Sequence, residues 1–181
     1  MARRIALEGF FVVAIDSLSP LGGTPKDDNA ARELFVKLDK SLATRDLVAL
    51  VKVLKSSPDG NGKVGAVGFC AGGTAVNQLA VHSPELDAAV PYYGRMPDAA
   101  DVAKIRAPIM AHYGALDKNV NDGIPAFEEA LKKNNKAHTL YIYEGAQHSF
   151  NSDASLDRYH KPSADLAWQR TVAFFKEKLK G

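Results

Sequence analysis

An α/β fold with a mostly parallel sheet and flanking helices is predicted by two features of the 181-residue chain. Short β-rich apolar runs alternate with helix-period segments along its whole length. One of those runs, Val64-Gly65-Ala66-Val67-Gly68, leads through Phe69 and Cys70 into the small-residue stretch Ala71-Gly72-Gly73. That is the pattern of a strand turning sharply into a helix.

Composition sets the outer limits. The length suits one domain spanning 1–181. A hydrophobic fraction of 46% and a charged fraction of 24% are those of a soluble globular protein. The net charge of +2, with no Lys/Arg cluster, gives no case for a nucleic-acid partner. No apolar run is long enough to span a membrane, and Arg3-Arg4 is followed by Glu8 and Asp16 rather than by a signal-peptide core. A single cysteine excludes an internal disulfide and fits a reducing compartment, so a cytoplasmic location is expected.

In chain order, residues 2–8 read as the end of a helix stopped by Gly9, and Phe10 to Ile15 as a short buried strand. Ser17 to Pro25 is rich in turn residues. A polar helix is expected over 27–37. A second, capped by Ser41, runs to Lys55 with Leu47, Leu50, Val51 and Leu54 on one face. After the turn at 57–62 come the strand at 64–68, a helix over 73–83, a strand from Ala88 to Tyr93, and a short helix at 99–105. Pro108 introduces a strand over 109–113. A helix at 123–133 carries Ile124, Phe127 and Leu131 on one face, and Thr139 to Tyr143 is the last strand. A polar loop follows, then a final helix with Trp168, Thr171, Val172, Phe175 and Leu179 on one stripe.

Ligands of an open parallel sheet bind at the C-terminal ends of its strands. Three reactive residues fall there: Cys70 after 64–68, Asp117 after 109–113, and His148 after 139–143. Their order along the chain is nucleophile, acid, histidine, the order of the α/β-hydrolase triad. A thiol of ordinary pKa is only a few per cent thiolate at neutral pH, so a nucleophilic cysteine needs a base. His148 would take the proton, Asp117 would fix the imidazole tautomer, and the helix start would favour the thiolate. The N–H of Ala71 would be one oxyanion donor. Gly68 and Gly72 are expected to be glycines because the turn brings backbone against backbone. Free cysteines are more often buried and inert, and loop aspartates more often cap turns. The glycine pattern and the shared placement after strands favour the catalytic reading. His82, His112, His138 and His160 lack that placement and read as structural or exposed. No zinc-type Cys/His spacing and no phosphate loop occurs, and no cofactor or metal is expected.

These residues also carry a resemblance. Gly68-Phe69-Cys70-Ala71-Gly72-Gly73, Tyr92-Tyr93-Gly94, the Gly114-to-Asp117 turn, His148-x-Phe150 with Ala167-Trp168-Gln169-Arg170, and Ala2 to Phe10 resemble the dienelactone hydrolase (carboxymethylenebutenolidase) family. The resemblance spans essentially the whole chain. It implies an α/β-hydrolase fold and hydrolysis of a small ester or lactone through an acyl-cysteine, with Cys70 as nucleophile, Asp117 as orienting acid and His148 as base. It also implies that the chain is N-terminally truncated. Family members carry three further strands before the position of Ala2, the third lying between the strands matching 10–15 and 64–68. The loop after it supplies the second oxyanion N–H. Ser152 stands where the family places a substrate-binding arginine, so lactone specificity need not carry over. Three outcomes are open for the vacant place: pairing of 10–15 with 64–68, a strand donated by another chain or a homo-oligomer, or a fragment that is poorly stable alone. The alternative to an enzyme is a non-catalytic or weakly active hydrolase-like fragment serving as a binding or assembly module. A redox-sensing thiol is a weaker third reading, because the chain has no resolving cysteine.

Overall fold

A computed structural model describes residues 1–180. Helix α1 (Ala2–Leu7) leads into an irregular segment and a short 3-10 turn (Ser19–Leu21), then α2 (Asp28–Lys37) and α3 (Lys40–Lys55). The sheet follows: β1 (Gly65–Phe69), α4 (Ala71–His82), β2 (Ala88–Tyr92), a 3-10 segment (Ala99–Lys104), β3 (Ile109–Gly114), α5 (Lys118–Asn121), α6 (Ile124–Lys133), β4 (His138–Tyr143) and α7 (Lys161–Leu179). The four strands are all parallel and lie in the order β1-β2-β3-β4. This is the α/β architecture that the alternating runs predict.

Two cores flank the sheet. On one face α3, α4 and α6 bring Val51, Leu79 and Leu131 against Ala89, Ile109 and Ala111 of the strands. On the other, α7 brings Ala167, Phe174 and Phe175 against Val90, Tyr92 and Met110. Strands β2 and β3 are buried along their whole length, as expected of parallel strands covered on both faces. Helix starts carry their own signals. Asp27 caps α2 through Ala30 N–H, and Asp39 caps α3 by accepting from the N–H groups of Ser41 and Leu42. Asp39 therefore takes the role expected of Ser41. One carboxylate oxygen, Oδ1, accepts from both N–H groups at the capping position, whereas Ser41 lies inside the first turn.

A buried polar cluster clips α7 to the sheet. His112 of β3 meets Tyr143 Oη at 2.8 Å through Nδ1 and Thr171 Oγ1 at 3.1 Å through Nε2. Thr171 Oγ1 also lies 2.6 Å from Tyr92 Oη, and Arg170 donates to Tyr143 Oη at 3.2 Å. The guanidinium of Arg170 stacks 3.8 Å over the Tyr141 ring. These partners account for His112 in the core as a structural residue.

The largest departure from expectation lies at 10–15. This segment forms no strand among the described residues, and Phe11, Val13 and Ile15 are exposed. It does not pair with β1, which is hydrogen-bonded to β2 alone. The physical reason is the missing neighbour: a β-rich run acquires a ladder only when another edge lies beside it. The same vacancy marks β1, whose residues are half-buried except for Gly68. Between β1 and the 10–15 segment lies a cavity of about 750 Å³, bordered by Phe11, Val13, Leu50, Val67 and Phe69.

Burial first, and then the charge of Arg170, pushes the pKa of His112 down to about 3. The unfolded chain protonates this group near pH 6.5. Its contribution to stability is therefore intact above pH 6.5 and is lost as the pH falls toward 3, by up to about 1.4 kcal/mol per pH unit. Urea unfolding between pH 7 and pH 4.5 should show a steeper loss of stability for the wild type than for His112→Gln.

Candidate active site

The turn after β1 places Cys70 as the glycine pattern predicts. Cys70 has φ 53° and ψ −117°, an unusual backbone for a residue with a side chain. Its N–H donates to Tyr92 carbonyl at 3.1 Å, and its carbonyl accepts from Thr74 N–H at 3.0 Å. The turn is thus anchored to β2 on one side and to α4 on the other. A Cβ at Gly68 would lie 2.1 Å from the Gly72 carbonyl oxygen, so only glycine fits beneath the helix start. Gly72 differs from expectation. A Cβ there would meet nothing within 4 Å. Gly72 contributes its backbone to the close approach, while the steric demand falls on Gly68.

The three reactive residues converge from the ends of three strands. Cys70 Sγ lies 3.1 Å from His148 Nε2, and His148 Nδ1 lies 2.5 Å from Asp117 Oδ2. Asp117 is buried, His148 is partly exposed, and Cys70 is open to solvent. That gradient suits the chemistry: a carboxylate shielded from water, a histidine held by it, and a nucleophile that substrate can reach. The backbone fixes Asp117, since its carbonyl accepts from the N–H groups of Val120 and Asn121 and its own N–H donates to Gly114 carbonyl. Ala71 occupies the first position of α4, where a backbone N–H has no acceptor within the helix. It is free to serve an anion. Among the described residues no group of three His, Cys, Asp or Glu side chains is arranged to hold a metal ion.

A cavity of about 1260 Å³ opens at Cys70. Its wall combines Tyr93 and His148 with apolar side chains of the helices before the sheet, including Phe35, Leu38, Leu42 and Leu50. The periodicity of α3 shows an apolar face but not what it faces. In the sequence Tyr93 stands out only by its place after β2 and as part of Tyr92-Tyr93-Gly94.

Comparison with known proteins gives the family. The family model described as the dienelactone hydrolase family matches residues 1–179. The chain belongs to the dienelactone hydrolase family. Its fold is accordingly the α/β-hydrolase fold, and the family places it among hydrolases of esters or lactones. A protein of Escherichia coli (strain K12) that bears the name of a carboxymethylenebutenolidase is 30% identical over 192 residues, covering 98% of this chain and 70% of the relative. Protein usf of Aquifex pyrophilus is 34% identical over 186 residues, covering 97% of this chain and 78% of the relative. A crystal structure bearing the name of a dienelactone hydrolase, from Klebsiella pneumoniae subsp. pneumoniae MGH 78578, superposes with a TM-score of 0.73 at 28% identity. That match covers 83% of this chain and 68% of the other.

The glycine geometry gives a direct prediction. Gly68→Ala should destabilise the protein by at least about 2 kcal/mol, because neither backbone can retreat. Gly72→Ala, inside α4 and in open space, should be neutral or stabilising by up to about 1 kcal/mol. Urea unfolding of both variants checks the contrast.

Proposed function

We propose that the chain hydrolyses a small ester or lactone through an acyl-cysteine formed on Cys70, with His148 as base and Asp117 as its orienting partner. The observation that carries this reading is the continuous hydrogen-bonded line from Asp117 Oδ2 through both ring nitrogens of His148 to Cys70 Sγ. His148 Nε2 takes the thiol proton as Sγ attacks the carbonyl carbon, and the Ala71 N–H shares the charge on the carbonyl oxygen. Collapse expels the alcohol, which receives the proton from His148. Water activated by His148 then releases the acid and restores the thiol. Relatives whose names specify carboxymethylenebutenolidase or, in Bradyrhizobium, 2-oxo-3-(5-oxofuran-2-ylidene)propanoate lactonase support an ester or lactone substrate. The cavity wall joins an apolar part at Phe35, Leu42 and Leu50 to charged side chains including Lys40 and Arg95, which suits a substrate with an apolar body and a polar end. The lone cysteine, needed as a free thiol, suits a reducing compartment such as the cytoplasm.

Hydrolysis of 4-nitrophenyl acetate by the purified protein tests the reading. Cys70→Ala and His148→Ala should each lower kcat/KM at least about 1000-fold. Equal rates for wild type and Cys70→Ala would remove the enzyme reading.

The open edge of β1 favours a second reading, in which the sheet also accepts a strand from another chain. The unpaired edge of β1 and the unpaired segment at 10–15 border one cavity, and an extended strand is the element that would satisfy both sets of backbone groups. Such a protein should sediment as a dimer or higher assembly. A strictly monomeric, cooperatively folding species would contradict strand donation and leave the hydrolase reading intact.

A further inference from the structure

Tyr93 follows β2 immediately and has φ 37°, a strained backbone for a bulky aromatic residue. The surroundings enforce it. Tyr93 N–H donates to His112 carbonyl at 2.7 Å, which continues the ladder for one residue. The next residue, Gly94, lies so close to the start of α4 that a Cβ on it would sit 2.2 Å from the Gly73 carbonyl carbon. Held this way, the Tyr93 ring is directed at the site. Its centroid lies 5.0 Å from His148 and 5.5 Å from Phe150, and the side chain lines the cavity at Cys70.

Its hydroxyl is the distinctive part. The hydroxyls of Tyr92 and Tyr143 are both hydrogen-bonded, and that of Tyr113 is an orphan sealed in the core. Tyr93 Oη has no hydrogen-bond partner among the described residues and is not sealed in. Burial above all, and then the neighbouring Cys70, pushes the phenol pKa well up, so the group keeps its proton at neutral pH. A protonated, unpaired hydroxyl beside a nucleophile is a donor with nothing to donate to until a substrate arrives.

We propose that Tyr93 Oη donates a hydrogen bond to the carbonyl oxygen of a substrate at Cys70, acting with Ala71 N–H as the second oxyanion donor. This rests on the acyl-cysteine reading of the same site. In the addition step, Sγ bonds to the carbonyl carbon, the C=O π pair moves onto oxygen, and the thiol proton passes to His148 Nε2. Tyr93 donates to that oxygen and keeps its own proton. The strain at Tyr93 is then understandable as positioning, since an ordinary backbone at this residue would carry the ring elsewhere.

Three measurements on wild type and Tyr93→Phe test the proposal. Removing the hydroxyl should lower kcat for 4-nitrophenyl acetate about 100-fold with KM changed less than about three-fold. A phenyl trifluoromethyl ketone, which Cys70 converts to a tetrahedral adduct bearing an oxyanion, should bind at least about ten-fold more weakly. Alkylation of Cys70 by iodoacetamide forms no oxyanion, so its rate and pH profile should not change. Site-specific 3-fluorotyrosine at position 93, a stronger donor of nearly the same shape, should tighten the ketone. Ketone binding in Tyr93→Phe within two-fold of wild type, or no ketone adduct in the wild type, overturns the proposal. A wild type that binds the ketone through Tyr93 but does not turn over the ester would instead remove the hydrolase reading and leave the donor role standing.

Discussion

The site depends on the contact between Gly68 and the Gly72 carbonyl. That contact lets the chain leave β1 and enter α4 without an intervening loop, which puts Cys70 at the summit of the turn with Ala71 N–H beside it. Everything else is brought to this point. The parallel order of β1 to β4 sets the ends of β3 and β4 on the same rim, so Asp117 and His148 need only short loops to complete the line. The His112 cluster fixes α7 against the far face of the sheet, and so steadies β3 and β4, whose following loops carry Asp117 and His148.

Much of this was legible in the sequence. The runs at 64–68, 88–93, 109–113 and 139–143 are short and strongly apolar, and glycine or proline bounds several of them, so local pattern and tertiary environment agree. Cys70, Asp117 and His148 could be chosen because each follows a strand, and the structure brings them within hydrogen-bond distance. The readings that failed concern partners, which pattern does not encode. Phe10 to Ile15 has the composition of a strand, but strand structure requires a neighbouring edge, and none lies beside it. Gly72 looks as constrained as Gly68, yet only the three-dimensional direction of the would-be Cβ separates them. Tyr93 was visible as part of Tyr92-Tyr93-Gly94, but its role depends on a backbone conformation that no spacing reveals.

The open edge of β1 and the hydrogen-bonded line from Cys70 to Asp117 are linked by position. Phe69 borders the vacant space on one side of β1, and Cys70 is the next residue. A strand added there would bury the half-exposed side chains of β1 and stiffen the base of the elbow. The relatives to which the chain aligns are longer, with the chain spanning 70% of the Escherichia coli protein.

The central claim is that Cys70 becomes acylated, and the acyl-enzyme can be observed directly. Acid quenching during turnover of 4-nitrophenyl acetate, followed by proteolysis and mass spectrometry, should find an acetyl group on the peptide containing Cys70, formed within the time of one turnover and at least about 1000-fold more slowly in His148→Ala. Steady hydrolysis that depends on His148 but leaves Cys70 unacetylated at every time point would contradict the account.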